Sequence, residues 1–185
     1  MIVCQTARLR LRELTADDAE FIMELVNEPA WLRFIGDRKV HSLDDARGYI
    51  AKGPAASYAR HGFGLWAVEL ARTGEPIGMC GLVRRQALEH VDLGFAFLSR
   101  HWGNGYAREA AAAVVERARE AHGLSRLVAI TDLDNTPSQK VLTSVGFQYD
   151  KLVHWPESGE DLALYALDLA TPVPGGMPRA ERRPE

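Results

Sequence analysis

Arg100-His101-Trp102-Gly103-Asn104-Gly105-Tyr106-Ala107 reads Arg-x-x-Gly-x-Gly. It follows the apolar run Leu93-Gly94-Phe95-Ala96-Phe97-Leu98 and opens an alanine-rich stretch. A glycine-containing turn from strand into helix aims several main-chain N–H groups at one spot, and the helix dipole adds partial positive charge there. Gly103 and Gly105 let a ligand approach the main chain with no side chain in the way. The pattern predicts a phosphate or pyrophosphate site, and so a phosphorylated cofactor.

Outward from this turn, a helix is predicted over about 104–121. Ala107, Ala111, Val114, Val115 and Ala118 share one face, and Gly123 stands just past its end. Residues 127–131 are apolar and β-branched, as in a buried strand. Asn135 or Thr136 starts a short helix that has Pro137 in its first turn and ends at Gly146. Residues 147–153 and 162–169 read as two final strands. Before the turn, 64–70 and 76–83 form a hairpin around Arg72-Thr73-Gly74-Glu75, and 91–98 continues the meander. Residues 8–13 alternate polar and apolar, like a half-buried strand. Thr15 caps a helix that Pro29 stops; 27–40 reads as irregular; Ser42 caps a second helix that Gly53-Pro54 weakens or ends.

The chain has 185 residues, 46% hydrophobic and 25% charged, enough for one domain with a real core. A net charge of −3 argues against nucleic acid as the main partner. No apolar run approaches bilayer-spanning length, and the first residues do not read as a signal peptide, so a cytoplasmic protein is expected. Cys4 and Cys80 lack metal-ligand spacing and read as free thiols. The scattered histidines do not read as a metal site. The 171–185 tail, rich in proline and arginine, is expected to be disordered. A dinucleotide fingerprint would need a third glycine where Arg108 stands, and a Walker loop would need Gly-Lys-Ser/Thr.

A second stretch carries the resemblance: Asn135-Thr136-Pro137-Ser138-Gln139-Lys140-Val141-Leu142-Thr143-Ser144-Val145-Gly146-Phe147. Together the two stretches resemble the GCN5-related N-acetyltransferase (GNAT) superfamily. Arg100, Gly103 and Gly105 match its Gln/Arg-x-x-Gly-x-Gly/Ala signature; Asn135, Ser138, Gly146 and Phe147 match its later segment. The start, Leu9-Arg10-Leu11-Arg12-Glu13-Leu14-Thr15, is similar to the branch of ribosomal-protein alanine N-acetyltransferases. The resemblance implies an α/β (α+β) fold: a mixed, mostly antiparallel sheet of about seven strands, helices on both faces and two splayed parallel central strands. It implies a single domain over 1–170. It also implies acetyl-CoA-dependent transfer to a primary amine, on a small molecule or a protein N-terminus, in a ternary complex. A non-catalytic acetyl-CoA sensor or interaction module is the alternative. No metal, nucleic acid or membrane is implied, and the state is monomer or homodimer.

Residue by residue, the resemblance places pantetheine along Phe97, Leu98 and Ser99. It places the diphosphate on Trp102, Gly103, Asn104, Gly105, Tyr106 and Ala107, and gives pantetheine contacts to Asn135 and Ser138. The Phe97 N–H is the candidate that faces the thioester oxygen. Many relatives carry a proton-donating tyrosine where this chain has Leu142, which cannot donate. Ser138 takes that role, or else only bonds its helix backbone. Asp92 is the best-placed carboxylate for a base, or else a structural ion-pair partner. Glu69, Glu89, His90 and Glu157 are further candidates. Trp31, Phe34 and Tyr49 either line the acceptor side or belong to the core, and Arg100, Arg108 and Lys140 either meet phosphates or face water.

Overall fold

The computed structural model describes residues 1–156 and 158–169; the expected tail at 171–185 lies outside them, as does Glu157. Period-two alternation organises the centre of the sheet. In strands β3 (Leu65–Leu70) and β4 (Pro76–Val83), Trp66, Val68, Cys80 and Leu82 turn to one face, and Ala67 and Met79 to the other. Both faces are apolar, so each needs its own helical layer.

The first layer is α5 (Tyr106–Glu120), whose Ala110, Ala111, Val114, Val115 and Ala118 pack on the Trp66 side. The expected stripe is present, shifted slightly from Ala107 toward Ala110. Leu142 from α6 (Thr136–Ser144) joins this core. The opposite layer holds α1 (Ala19–Val26), α2 (Pro29–Phe34) and α3 (Leu43–Ile50), packed against Ala67, Met79 and Leu98.

The remaining strands are β1 (Ile2–Gln5), β2 (Leu9–Arg12), β5 (Val91–Phe97), β6 (Arg126–Thr131), β7 (Gln148–His154) and β8 (Asp161–Asp168). They complete one sheet in the order β1-β2-β3-β4-β5-β6-β8-β7. Neighbours run antiparallel except β5 and β6, which are parallel and joined through α5, the long crossover that parallel neighbours require. The fold class is as expected, with eight strands rather than about seven. β1 carries no strand signal in the sequence, because four half-exposed residues with a register shift between Ile2 and Cys4 show no alternation.

Two punctuation marks act differently from expectation. Pro29 opens α2 rather than only stopping α1, which ends at Val26; a missing N–H costs nothing in a first turn. Gly53-Pro54 does not end the second helix. A π-turn over Ala51–Ala55 absorbs the proline, and the chain continues as α4 (Ala56–His61) until Gly62, at φ 73°, stops it. Thr15 and Ser42 begin helical segments as read: Asp18 Oδ2 accepts the Thr15 N–H at 2.8 Å, and Ser42 Oγ accepts the Asp45 N–H at 3.1 Å. Among the described residues, no helix is long and apolar enough to cross a membrane.

Candidate active site

The site begins where β5 and β6 part. Their pairing covers only Val91 with Leu127 and Asp92 with Val128. Beyond that point β5 stays on β4 as far as Phe97, and β6 stays on β8 as far as Thr131, so a V opens between them. Leu98 donates its N–H to the Ile77 carbonyl at 3.0 Å, and Phe97 lies opposite Gly78. By antiparallel alternation, even-numbered residues of β5 turn their main-chain groups to β4, and odd-numbered ones turn theirs to the V. The amides of Phe95 and Phe97 therefore face the opening.

Phe97 turns its N–H into the V. Leu98 does not, because its N–H belongs to β4, and the Ser99 N–H donates to Glu28 Oε2 at 3.3 Å. Period-two parity decides this, and a motif cannot reveal parity. The Phe97 carbonyl accepts the Trp102 indole N–H at 2.8 Å, fastening the strand to the turn that follows.

That turn places Gly103 at φ 76° and Gly105 at φ 77°, with α5 starting at Tyr106. The left-handed backbone, not crowding, requires glycine. A Cβ would meet nothing within 4 Å at Gly103, and at Gly105 only Arg8 Nη2 at 3.6 Å. The first helical bond runs from the Glu109 N–H to the Gly105 carbonyl at 3.1 Å. The N–H groups of residues 103–108 find no acceptor among the described residues.

Arg8, which the motifs did not point to, holds this turn. Its Nη1 donates to the Asn104 carbonyl at 3.0 Å, its Nε to Glu109 Oε2 at 2.6 Å, and its guanidinium lies 4.8 Å from the centre of the Tyr106 ring. Thr6 Oγ1 donates to Glu109 Oε1 at 2.5 Å. Burial opposes ionisation of Glu109, but the bonds from Thr6 and Arg8 outweigh it and hold the carboxyl below its ordinary value. Arg100 pairs with Glu24 and lies 3.9 Å from Glu75, tying α1 to the turn rather than lining the cleft. Arg108 lines the cleft without an ion pair among the described residues; Lys140 is exposed.

The V and the turn border a cleft of about 760 Å³ whose far wall is α6. Asn135 Oδ1 accepts the Ser138 N–H at 3.2 Å and so caps α6. Thr143 and Ser144, on the same helix, bond their hydroxyls back to main-chain carbonyls at 3.0 and 2.7 Å. The Ser138 hydroxyl makes no such bond and lines the cleft. Leu142, one turn on, is fully buried.

A second pocket of about 130 Å³ meets the cleft between the splayed strands and shares Trp31, Phe95, Ile130 and Ser138 with it. Asp92 lines this pocket at 1% exposure. Arg85 Nε donates to Asp92 Oδ2 at 2.6 Å, while Asp92 Oδ1 has no partner. Burial pushes the carboxyl up to about 6 against the pull of Arg85 and, more weakly, of the Ile130 main-chain N–H. The other acids do not reach the pocket: Glu69 pairs with Arg12 at 2.5 Å and Arg10 at 3.7 Å, and Glu89 and His90 line neither space. Trp31 lines both spaces, Phe34 the cleft and Tyr49 the pocket, whereas Trp66 is core. Among the described residues, no three His, Cys, Asp or Glu side chains gather as metal ligands.

The sequence profile of the acetyltransferase (GNAT) domain matches residues 8–148. The uncharacterized N-acetyltransferase YoaA of Bacillus subtilis (strain 168) is 32% identical over 147 residues, which span 79% of this chain and 82% of that protein. The crystal structure of an acetyltransferase from Agrobacterium tumefaciens str. C58 is 28% identical, with a TM-score of 0.76 over 90% of this chain and 94% of its own. The microcin C7 self-immunity acetyltransferase, solved in complex with acetyl-CoA and AMP, shares the fold at 14% identity, with a TM-score of 0.76 over 88% of this chain and 93% of its own.

Proposed function

This chain belongs to the GNAT acetyltransferase family, and from that premise we propose that it transfers the acetyl group of acetyl-CoA to a primary amine, directly, in a ternary complex. Residues 1–170 act in this reading as one domain. The observation that carries it is the meeting of two spaces between β5 and β6: a long cleft edged by unpartnered amides, and a small pocket holding one open carboxylate oxygen.

The free groups fit the cosubstrate. The Phe97 amide would pair with pantetheine as a neighbouring strand does, and Asn135 would add a side-chain contact. The N–H groups of 103–108 at the start of α5 would hold the diphosphate, with Arg8 and Arg108 adding positive charge. When bound, acetyl-CoA supplies a thioester whose carbonyl carbon bonds to the amine nitrogen as its carbon–sulfur bond breaks.

Asp92 Oδ1 accepts a proton from the incoming ammonium and frees its lone pair. The burial that raises Asp92 also lowers the pKa of a bound amine, which narrows the gap the proton must cross. The Phe95 N–H, which faces the V and borders both spaces, stabilises negative charge developing on the carbonyl oxygen; Phe97, five residues along β5 from Asp92 or about 16 Å, lies too far from that carboxylate for the role and keeps to pantetheine. Ser138 Oγ–H donates to the departing sulfur and regains a proton as the new amide nitrogen loses one. In total, an ammonium and a thioester become an amide, a thiol and one released proton. The test is free-thiol release from acetyl-CoA over a panel of amines and peptides. Turnover on at least one amine is expected; coenzyme binding without turnover on any acceptor would overturn the reading.

A further inference from the structure

Two residues that line the small pocket each carry a buried polar atom without a hydrogen-bond partner among the described residues, and the two atoms are of opposite kind. Asp92 Oδ1 is an acceptor without a donor; Trp31 Nε1 is a donor without an acceptor, in a side chain only 5% exposed. A buried polar atom left unpaired is costly, so a ligand that satisfies both gains from each.

The charge around the pocket leans the same way. Arg85 and Arg38 both line it, against Asp92 as its single acid. Among the described residues Arg85 hydrogen-bonds through Nε alone, with its guanidinium 5.6 Å from the centre of the Trp155 ring, and Arg38, at the exposed rim, makes no ion pair. Both cations act on the Tyr49 hydroxyl, whose pKa burial raises and these arginines draw down. The pocket thus offers one site for a cationic amine beside a wider field that favours an anion.

We infer that the acceptor is a small zwitterion, a free amino acid, whose amine meets Asp92 while its carboxylate is held by Trp31 Nε1 and Arg38. This rests on the acetyltransferase reading and deepens it. A volume near 130 Å³ equals about four waters' share of liquid volume, which suits a compact acceptor. Linear polyamines present extra cations to two arginines and leave Trp31 unsatisfied. Peptide N-termini lack the carboxylate close to the amine.

The experiment has two layers. Calorimetry with CoA tests the cleft alone. Thiol release then compares alanine with ethylamine, alaninamide, the aminophosphonate analogue of alanine, spermidine and an alanyl peptide. The expected result is coenzyme binding and a kcat/KM for alanine at least about tenfold above every other acceptor, the effect of one charged hydrogen-bonding partner. Arg38→Gln, at an exposed position that folding tolerates, narrows the alanine-to-ethylamine ratio below about threefold, chiefly through KM. Trp31→Phe narrows it likewise. No heat with CoA would remove the acetyltransferase reading itself. Heat with CoA but equal or better turnover of ethylamine, spermidine or the peptide would overturn the zwitterion alone, as would no turnover of any amino acid. Preference for the aminophosphonate would overturn the carboxylate assignment.

Discussion

Arg85 Nε donates to one oxygen of Asp92 at 2.6 Å, and the other oxygen, buried at the wall of a small pocket, has no hydrogen-bond partner among the described residues. An ion pair and an open acceptor thus coexist on one carboxylate, so the structural and the chemical roles of Asp92 do not compete. Arg85 orients the group and favours its ionised form against its burial; in the proposed reaction the other oxygen takes the proton.

Activity should follow the ionisation of Asp92. A base works deprotonated, and this carboxyl is raised to about 6, so kcat/KM falls about tenfold per pH unit below that value. Asp92→Asn removes the acidic limb and costs about 10²–10⁴ in kcat. The stability sign is opposite. A carboxyl raised on folding binds its proton more tightly in the folded state, so its contribution to stability falls as pH rises from about 4 through about 6. A pH series of thermal midpoints should show that decline flattened in Asp92→Asn.

Ser138→Ala should lower kcat by about 10²–10⁴ with little change in coenzyme affinity, if its hydroxyl protonates the sulfur. Its freedom from main-chain bonds, in contrast to Thr143 and Ser144, motivates the prediction. A loss below about threefold would take Ser138 out of the chemistry, whatever its position in the cleft.

Gly105→Val should weaken CoA binding about tenfold or more by calorimetry. A β-branched residue at φ 77° carries about 1–3 kcal/mol of strain, and relaxing it turns the 103–108 amides out of line. Gly48→Ala is the contrasting change. It lies inside α3 at ordinary φ, where a Cβ meets nothing within 4 Å. It should raise stability by about 0.5–1 kcal/mol in denaturant melts and leave turnover unchanged.

Local signals made the sheet centre and both motifs legible. Glycine at positive φ marks the turn, Asn135 marks a helix start, and alternation marks β3 and β4. Features set by distant partners were not legible. Whether Leu98 or Phe97 faces the V depends on register with β4, and the openness of Asp92 depends on where β6 leaves β5. The bend of α3 through Pro54 depends on a π-turn that tolerates a missing N–H. No local pattern links Arg8 to Asn104, which lies 96 residues away.

Arg8 joins the loop before β2 to the phosphate turn by bonding the Asn104 carbonyl and the Glu109 carboxylate. Arg8→Met keeps an unbranched side chain but removes both bonds, the charge and the guanidinium over Tyr106. Glu109, at 18% side-chain exposure, then keeps Thr6 as its remaining side-chain partner. Because Arg8 is about half exposed, the stability loss should stay near 1 kcal/mol. The effect on CoA should be larger, about tenfold in Kd, since the turn loses its brace and the diphosphate a nearby cation. A salt titration separates the two. Loss of a cation makes coenzyme affinity less salt-dependent than in the parent protein, whereas loss of order alone leaves the slope unchanged. Unaltered affinity at low salt would show that the free amides and Arg108 suffice, and that Arg8 serves only the joint between β2 and α5.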